Sequence, residues 1–270
     1  MTADGVDHSW VAGGEADVTE VVHYAADRGI ATITLDSPTN RNALSAQLVG
    51  ELSDRLAAAA ADTSVRAVIL SHTGSVFCAG ADLKEQSAEG GPEQGTQRML
   101  ALLRAIVELP KPVVARVDGA VRAGGMGIVG ACDIALAGPN ASFAFTEVRL
   151  GLAPAIISLT TLGRMTERSA SRYYLTGEVF KADTAAASGL VTAAVDDLDA
   201  ELATLTDALW ACSPQGLAET KRVTTRRVAA ALATGGDEMQ ALSARLFASD
   251  EAREGMLAFL QKRSARWAAE

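Results

Sequence analysis

The sequence predicts a mixed α/β fold of the α+β kind, in which a sheet-bearing region is followed by a helical one. The chain has 270 residues and is 49% hydrophobic, which is enough for one large core. Short β-branched runs alternate with helical segments in the first two thirds, where a pattern of two strands and a helix occurs twice. From Leu198 onward, Ala, Leu and Arg in amphipathic order predict three or four helices. We therefore expect a flexible N-terminus over 1–16, a core region over 17–196 and a helical region over 197–270.

The first third is typical of strands interrupted by one helix. The runs "TEVVHYA" and "IATITL", joined by a turn at Asp27–Gly29, predict a hairpin. The Ala-rich stretch from Ser45 has helical spacing and propensity. Val65–His72 suits a buried strand, and it leads into a loop of small residues, "TGSVFCAGADL". A helix is expected to begin at Asp82, a good N-cap residue.

The middle of the chain predicts a second set of strands around a short helix. Ala88–Gly95 is the most linker-like stretch, and a helix is expected over Thr96–Glu108, before Pro110. The stretch from "KPVVARV" to "SFAF" then predicts strand, short helix, strand, a Pro-Asn hairpin turn and strand. From Pro154 onward the pattern is helical, apart from a strand at Leu190–Val195.

Composition excludes several classes of function. A net charge of −9 disfavours binding to nucleic acid and anionic lipid. Three widely spaced cysteines and three histidines predict neither a disulfide framework nor a metal site. The acidic, Gly-rich N-terminus is unlike a signal peptide, and no apolar run is long enough to span a bilayer. We therefore expect a cytoplasmic protein without membrane insertion.

The stretch "RAGGMGIVGACD", Arg122–Asp133, raises the question of a cofactor. It contains a G-x-G-x-x-G at Gly125–Gly130, and Glu147 follows about twenty residues on, as in a dinucleotide fingerprint. That fingerprint needs glycines directly after a strand and a long helix behind them. Here the strand ends at Val117 and the helix can run only to about Ala131. No dinucleotide cofactor is expected.

The glycines therefore need another explanation. Bare N–H groups at a helix N-terminus attract negative charge, and charge that develops only during a reaction makes such a site an oxyanion hole. The loop "FCAGADL", Phe77–Leu83, has the same character and could supply a second N–H. Close helix-to-sheet packing without a ligand is the alternative that these residues leave open.

Together these motifs resemble the crotonase, or enoyl-CoA hydratase/isomerase, superfamily. The resemblance covers nearly the whole chain and is strongest towards bacterial hydratases of the methylglutaconyl-CoA type. The matching segments, in order, are "NRNALS", "FCAGADLKE", "KPVVARVDGAVRAGGMGIVGACDIALAG", "SFAFTEVRLGLAP", "YYLTGEVFKADTAAASGLV" and "EGMLAFLQKR".

The resemblance implies a superhelical core of repeated ββα units, a C-terminal helical trimerisation region and an acyl-CoA thioester as ligand. A homotrimer or hexamer is expected, with coenzyme A as part of the substrate and no separate cofactor. By matching positions, the backbone N–H groups of Ala79 and Gly124 would hold the thioester oxygen, and Lys262 or Arg263 would reach in from a neighbouring subunit. The residues implied in substrate and CoA binding are Arg41, Ala43, Leu44, Gly80, Ala81, Asp82, Leu83, Lys84, Gly125, Gly127 and Lys262.

Related hydratases carry two glutamates, because adding water needs a base for the water and an acid for carbon. Here one matching position is Glu147 and the other is Gly127. We expect Glu147 to be the acid/base, with its pKa raised by partial burial. The favoured reaction is hydration of a 2-enoyl-CoA. A Δ3-Δ2-enoyl-CoA isomerase, a decarboxylase, a thioesterase and a non-catalytic acyl-CoA-binding protein remain as alternatives.

Overall fold

Two β-sheets form the frame of the molecule in the computed structural model, which describes residues 19–86 and 91–268. The ten strands are β1 (Val22–Asp27), β2 (Ile30–Leu35), β3 (Ala67–His72), β4 (Val76–Cys78), β5 (Val113–Val117), β6 (Ala120–Arg122), β7 (Ile134–Ala137), β8 (Ser142–Ala144), β9 (Phe180–Lys181) and β10 (Ala193–Ala194). The larger sheet has the order β1-β2-β3-β5-β7-β10, and the smaller has the order β4-β6-β8-β9.

Helices connect and cover the sheets. They are α1 (Ala46–Ala61), α2 (Leu83–Gln86), α3 (Gly91–Glu108), α4 (Gly124–Ala131), α5 (Ala155–Thr161), α6 (Glu167–Thr176), α7 (Ala182–Ser188), α8 (Leu198–Trp210), α9 (Pro214–Thr224), α10 (Arg226–Phe247) and α11 (Asp250–Leu260). Short 3-10 helices span Pro38–Asn40, Thr146–Leu150 and Arg266–Ala268.

The predicted hairpin and first helix are confirmed. Strands β1 and β2 pair antiparallel across a turn in which Arg28 and Gly29 both have positive φ, the backbone shape that a two-residue hairpin needs. Helix α1 begins where Ser45 accepts a hydrogen bond from the Leu48 N–H. Its apolar face is buried from Leu48 to Ala59, because the helix packs on the larger sheet through that face.

The ββα pattern occurs four times in the structure, although the sequence predicted only two. Each repeat sends its first strand to one sheet and its second strand to the other, except the first, in which β1 and β2 are neighbours. Strands β4, β6 and β9 were not predicted, because two or three residues are too few to show an alternating pattern. The mixed α/β class, with parallel sheets and a helical C-terminal part, is confirmed.

Two further predictions about connections are corrected. The Pro-Asn turn does not close a hairpin, since β7 lies in the larger sheet while β8 pairs parallel with β6 in the smaller. Helix α3 begins at Gly91, inside the stretch predicted as a linker, and Pro92 at its start suits a first helical turn.

The C-terminal helices pack back onto the core. Helix α10 lies against α3 and α5, and α11 lies against the 3-10 helix Thr146–Leu150. The last described strand, β10, ends at Ala194, and α8 begins at Leu198. The predicted N-terminal segment 1–16 lies outside the described residues, and the predicted boundary near 196 stays a prediction. Within 19–86 and 91–268, no helix has the length and apolar character needed to cross a membrane.

Candidate active site

A cavity of about 510 Å³ lies where the loops after β2 and β4 meet α3, α4 and the segment after β8. Helices α10 and α11 close part of its rim through Ser243, Phe247, Phe259 and Leu260. Ten residues predicted for the site line this cavity: Arg41, Ala43, Leu44, Ala79, Ala81, Asp82, Leu83, Lys84, Gly124 and Glu147. Segments far apart in sequence are thus brought to one place.

A buried asparagine, which was not predicted from the sequence, fixes the loop after β2 through its hydrogen bonds. Asn42 is fully buried, and its side chain accepts from the Ser37 N–H at 2.7 Å and donates to the Val76 carbonyl at 2.8 Å. Arg41 and Asn42 both have positive φ, which Asn tolerates better than most residues. Arg41 is exposed, and its carbonyl faces the next loop, where it accepts a hydrogen bond.

That carbonyl determines which N–H groups of the second loop are free. The Ala79 N–H donates to the Arg41 carbonyl at 3.1 Å, and the Gly80 N–H lies 3.5 Å from the Cys78 Sγ. The Leu44 N–H donates to the Gly80 carbonyl at 2.8 Å, and this contact does not use the N–H of Ala81. Among the described residues, nothing accepts a hydrogen bond from the Ala81 N–H. The Ala79 N–H, predicted to hold the thioester oxygen, has a backbone partner instead.

The Gly124 N–H lies next to this loop at the start of α4. As the first helical residue, Gly124 has no intrahelical acceptor for its N–H. Gly80 has a φ of +91°, and a Cβ added there would lie 2.7 Å from the Ala123 Cβ and 3.4 Å from the Gly124 nitrogen. Ala123 itself has a positive φ of 46°. The two loops therefore approach each other closely at the free N–H groups, with a glycine at 80 that leaves room for Ala123.

Glu147 is the buried carboxylate of the cavity. It lies in the 3-10 helix after β8, is only 9% exposed, and its Oε2 has no hydrogen-bond partner among the described residues. Burial raises the pKa of Glu147 to about 7, against a smaller opposing effect of a hydrogen bond from its own backbone N–H. A carboxyl group with this pKa can both take up and release a proton near neutral pH.

Asp82, the other acidic residue on the cavity wall, is engaged in holding the loops together. Its Oδ2 accepts from the Asn40 side chain at 2.7 Å, and its Oδ1 caps α2 through the Lys84 N–H at 3.0 Å. The helix predicted to begin at Asp82 is thus confirmed. Glu147 is the one carboxylate of the described cavity lining that has an oxygen without a partner.

Four predicted binding residues do not line the cavity: Gly80, Gly125, Gly127 and Lys262. Gly125 packs on Cys78, where an added Cβ would lie 2.8 Å from the Cys78 Cβ. Close packing therefore accounts for this glycine. Lys262 is exposed, and its predicted contact with a neighbouring subunit stays a prediction. Helix α4 ends at Ala131, as expected for a chain without the dinucleotide fold.

Among the described residues, no cluster of three or more His, Cys, Asp or Glu side chains has the arrangement of a metal site.

Comparison with known proteins identifies the family of this chain. A family model described as enoyl-CoA hydratase/isomerase matches residues 25–270. This chain belongs to the enoyl-CoA hydratase/isomerase family. It is accordingly an enzyme of the crotonase fold with lyase or isomerase activity in acyl-CoA metabolism.

Individual relatives match over nearly their full length. The 2,3-dehydroadipyl-CoA hydratase of Escherichia coli K12 is 33% identical over 235 residues, covering 86% of this chain and 92% of that protein. The mitochondrial enoyl-CoA hydratase domain-containing protein 3 of Xenopus laevis is 32% identical over 247 residues, covering 89% and 84%. The crystal structure of an enoyl-CoA hydratase from Mycobacterium avium has a TM-score of 0.87 and 51% identity, covering 93% of this chain and 100% of that one.

Proposed function

We propose that this family member is an enoyl-CoA hydratase, which adds water across the double bond of a 2-enoyl-CoA thioester with Glu147 as its acid/base. The observation that carries the proposal is the buried Glu147 carboxylate, which lines the cavity with one oxygen unpartnered among the described residues. Several family members similar to this chain are named as hydratases of acyl-CoA thioesters.

One carboxylate can serve both proton steps of hydration. As the water oxygen bonds to C3, Glu147 takes a proton from that water, and the electron pair of the double bond moves onto the thioester as an enolate. The enolate then collapses as C2 takes the same proton from Glu147. The sum is one water added, and Glu147 returns to its starting state. A pKa near 7 suits a group that must act first as base and then as acid.

The enolate oxygen needs donors that are already in place. Gly124 and Ala81 supply two backbone N–H groups without partners among the described residues, on loops that approach within van der Waals distance. Each preorganised donor of this kind contributes about 3 to 4 kcal/mol to transition-state stabilisation. The donor of the first loop is therefore assigned to Ala81 in place of Ala79.

The charge of the cavity suits a phosphorylated ligand. Its described lining contains five basic residues and two acidic ones, whereas the whole chain carries a net charge of −9. The basic residues are Arg41, Lys84, Arg98, Arg122 and Arg149. Arg41 and Lys84 lie on the two loops matched to the CoA arm, so we assign the phosphate contacts to them. The expected trimer or hexamer would bring Lys262 to a neighbouring site, which native mass measurement would test.

A Δ3-Δ2-enoyl-CoA isomerase is the second candidate. Gly127 stands where the resemblance implies a second glutamate, and the side chains beside it are apolar. In the described cavity lining, Glu147 is then the one carboxylate with an unpartnered oxygen that could move a proton. Transfer of a proton from C2 to C4 needs no second carboxylate.

Incubation with a 2-enoyl-CoA and, separately, with a 3-enoyl-CoA distinguishes the two candidates. A hydratase converts the 2-enoyl-CoA into a product heavier by one water, which mass spectrometry detects directly. An isomerase gives a product of unchanged mass with a shifted double bond. If neither thioester is converted under conditions in which both bind, the proposal is wrong.

A further inference from the structure

Two apolar side chains occupy the volume beside Gly127. A Cβ added to Gly127 would lie 2.6 Å from the Ile157 Cγ2 and 3.1 Å from the Met99 Cε. Ile157 and Met99 both line the cavity, and Ile157 is 4% exposed. We infer that these two side chains, here named the acyl wall, determine which acyl chains the site accepts. The inference rests on the proposed acyl-CoA function and names the specificity of the same site.

The acyl wall exists because α5 packs closely against α4. The Thr160 hydroxyl donates to the Gly127 carbonyl at 2.9 Å, which ties the two helices together at this point. One turn further along, a Cβ added to Gly130 would lie 2.8 Å from the Thr161 Cγ2. Glycines at 127 and 130 thus form a groove on α4 that admits α5. Ile157, at the cavity end of α5, is pressed against the place where a larger residue at 127 would stand.

The acyl wall lies beyond the thioester position. Gly127 is three residues after Gly124, on the same side of α4 and about 4.5 Å further along the helix axis. The Met99 Cε is 3.8 Å from the position of an added Cβ at Gly124 and 3.1 Å from that at Gly127. Met99 therefore spans the two positions. A thioester oxygen held at Gly124 would direct its acyl chain along Met99 towards Ile157.

Shortening Ile157 should therefore lengthen the acyl pocket. Discrimination in an apolar pocket is about 10- to 200-fold for each methylene that fits or fails to fit. We expect the wild-type chain to bind short acyl chains best. Ile157→Ala should raise the affinity for a longer acyl chain relative to a short one by about tenfold or more, the lower end of that range.

Leu159 offers a matched control on the same helix. It is 9% exposed, does not line the cavity, and faces α10, where an added Cβ at Gly235 would lie 3.0 Å from the Leu159 Cδ2. Leu159→Ala removes a side chain of similar size from α5 without touching the acyl wall. It should lower the free energy of unfolding, as Ile157→Ala does, and leave the preference among acyl chains unchanged.

Calorimetric titration with butyryl-, hexanoyl- and octanoyl-CoA measures this preference without requiring turnover. The expected result is a shift towards octanoyl-CoA in Ile157→Ala, a smaller shift in Ile157→Val, and none in Leu159→Ala. Equal shifts in both alanine variants, or none in Ile157→Ala or Ile157→Val, would overturn the inference. Failure of the wild-type chain to bind any of the three thioesters would instead contradict the proposed function. Ile157→Val keeps the test available if the alanine variants do not fold.

Discussion

Two walls of the cavity differ in polarity, although the resemblance implies a carboxylate on each. One wall carries Glu147, buried and with an oxygen unpartnered among the described residues. The other is formed by Ile157 and Met99, which fill the space beside Gly127. An apolar surface therefore occupies the place where the resemblance implies a second glutamate. Under the proposed function, proton transfer is therefore assigned to Glu147, and selection of the acyl chain is assigned to Ile157 and Met99.

Removing the ionisable group of Glu147 should have the largest effect on turnover. Glu147→Gln keeps the size of the side chain and removes its ability to exchange a proton, so turnover should fall by about 10²- to 10⁴-fold. Steady-state kinetics on a 2-enoyl-CoA measure the loss. Calorimetric binding of butyryl-CoA is the control and should be nearly unchanged. Turnover equal to that of the wild-type chain would remove Glu147 from the reaction.

Adding a carboxylate to the apolar wall should not improve the enzyme. Gly127→Glu forces a side chain into Ile157, and overpacking of this kind costs about 1–3 kcal/mol in the free energy of unfolding. Denaturation with urea should show the loss, and turnover should fall. The double variant Gly127→Glu/Ile157→Ala should recover part of the stability, because the two sites are in contact. Enhanced hydration by the single variant would mean that a missing carboxylate limits the rate.

The raised pKa of Glu147 also predicts a dependence of stability on pH. Its pKa is about 7 in the folded chain, against 4.5 without burial, so the folded state binds more protons between these values. Stability from this group is fully present below about pH 4.5 and is lost as pH rises to about 7. Urea unfolding across this range should show the wild-type chain losing stability relative to Glu147→Gln. Parallel curves for the two proteins would mean that the pKa is not raised.

Substitution of Tyr174, a neighbour of Glu147, should have the smallest effect. The Tyr174 hydroxyl lies 2.5 Å from the Thr161 Oγ1, and its ring lies 4.2 Å from Phe145. Burial, followed by the charge of Glu147, raises the pKa of Tyr174, so this hydroxyl stays protonated. Tyr174→Phe should cost about 1 kcal/mol in the free energy of unfolding, the contribution of one hydrogen bond. Turnover within a few-fold of wild type is expected, and a loss as large as that of Glu147→Gln would assign Tyr174 a part in the chemistry.

Local signals predicted the longer elements well. The turn at Arg28–Gly29 and the Ser45 cap are encoded by neighbouring residues, and both are found in the structure. Strands of two or three residues, such as Phe180–Lys181, depend on partners far away in the chain and leave no periodic signal. The ββα repeat was undercounted for this reason.

The candidate site was predictable where the resemblance to a known family fixes a position. Glu147 was assigned by its register with the glycine helix in that family, and the structure brings it to the same cavity as Gly124. The choice between Ala79 and Ala81 depends on the Arg41 carbonyl, which belongs to another loop. The acyl wall depends on how closely α5 approaches α4, which is a tertiary contact. The pairing of Gly127 and Gly130 was a signal for that approach, but it does not identify the side chain that fills the groove.

The fate of solvent oxygen tests the proposed hydration of a 2-enoyl-CoA most directly. The wild-type chain is incubated with a 2-enoyl-CoA in water enriched in oxygen-18, and the products are analysed by mass spectrometry. If the protein is a hydratase, the product is a 3-hydroxyacyl-CoA that carries one labelled oxygen on C3. An alkene of unchanged mass without label, or label found only in a released carboxylic acid, would contradict the proposed hydration.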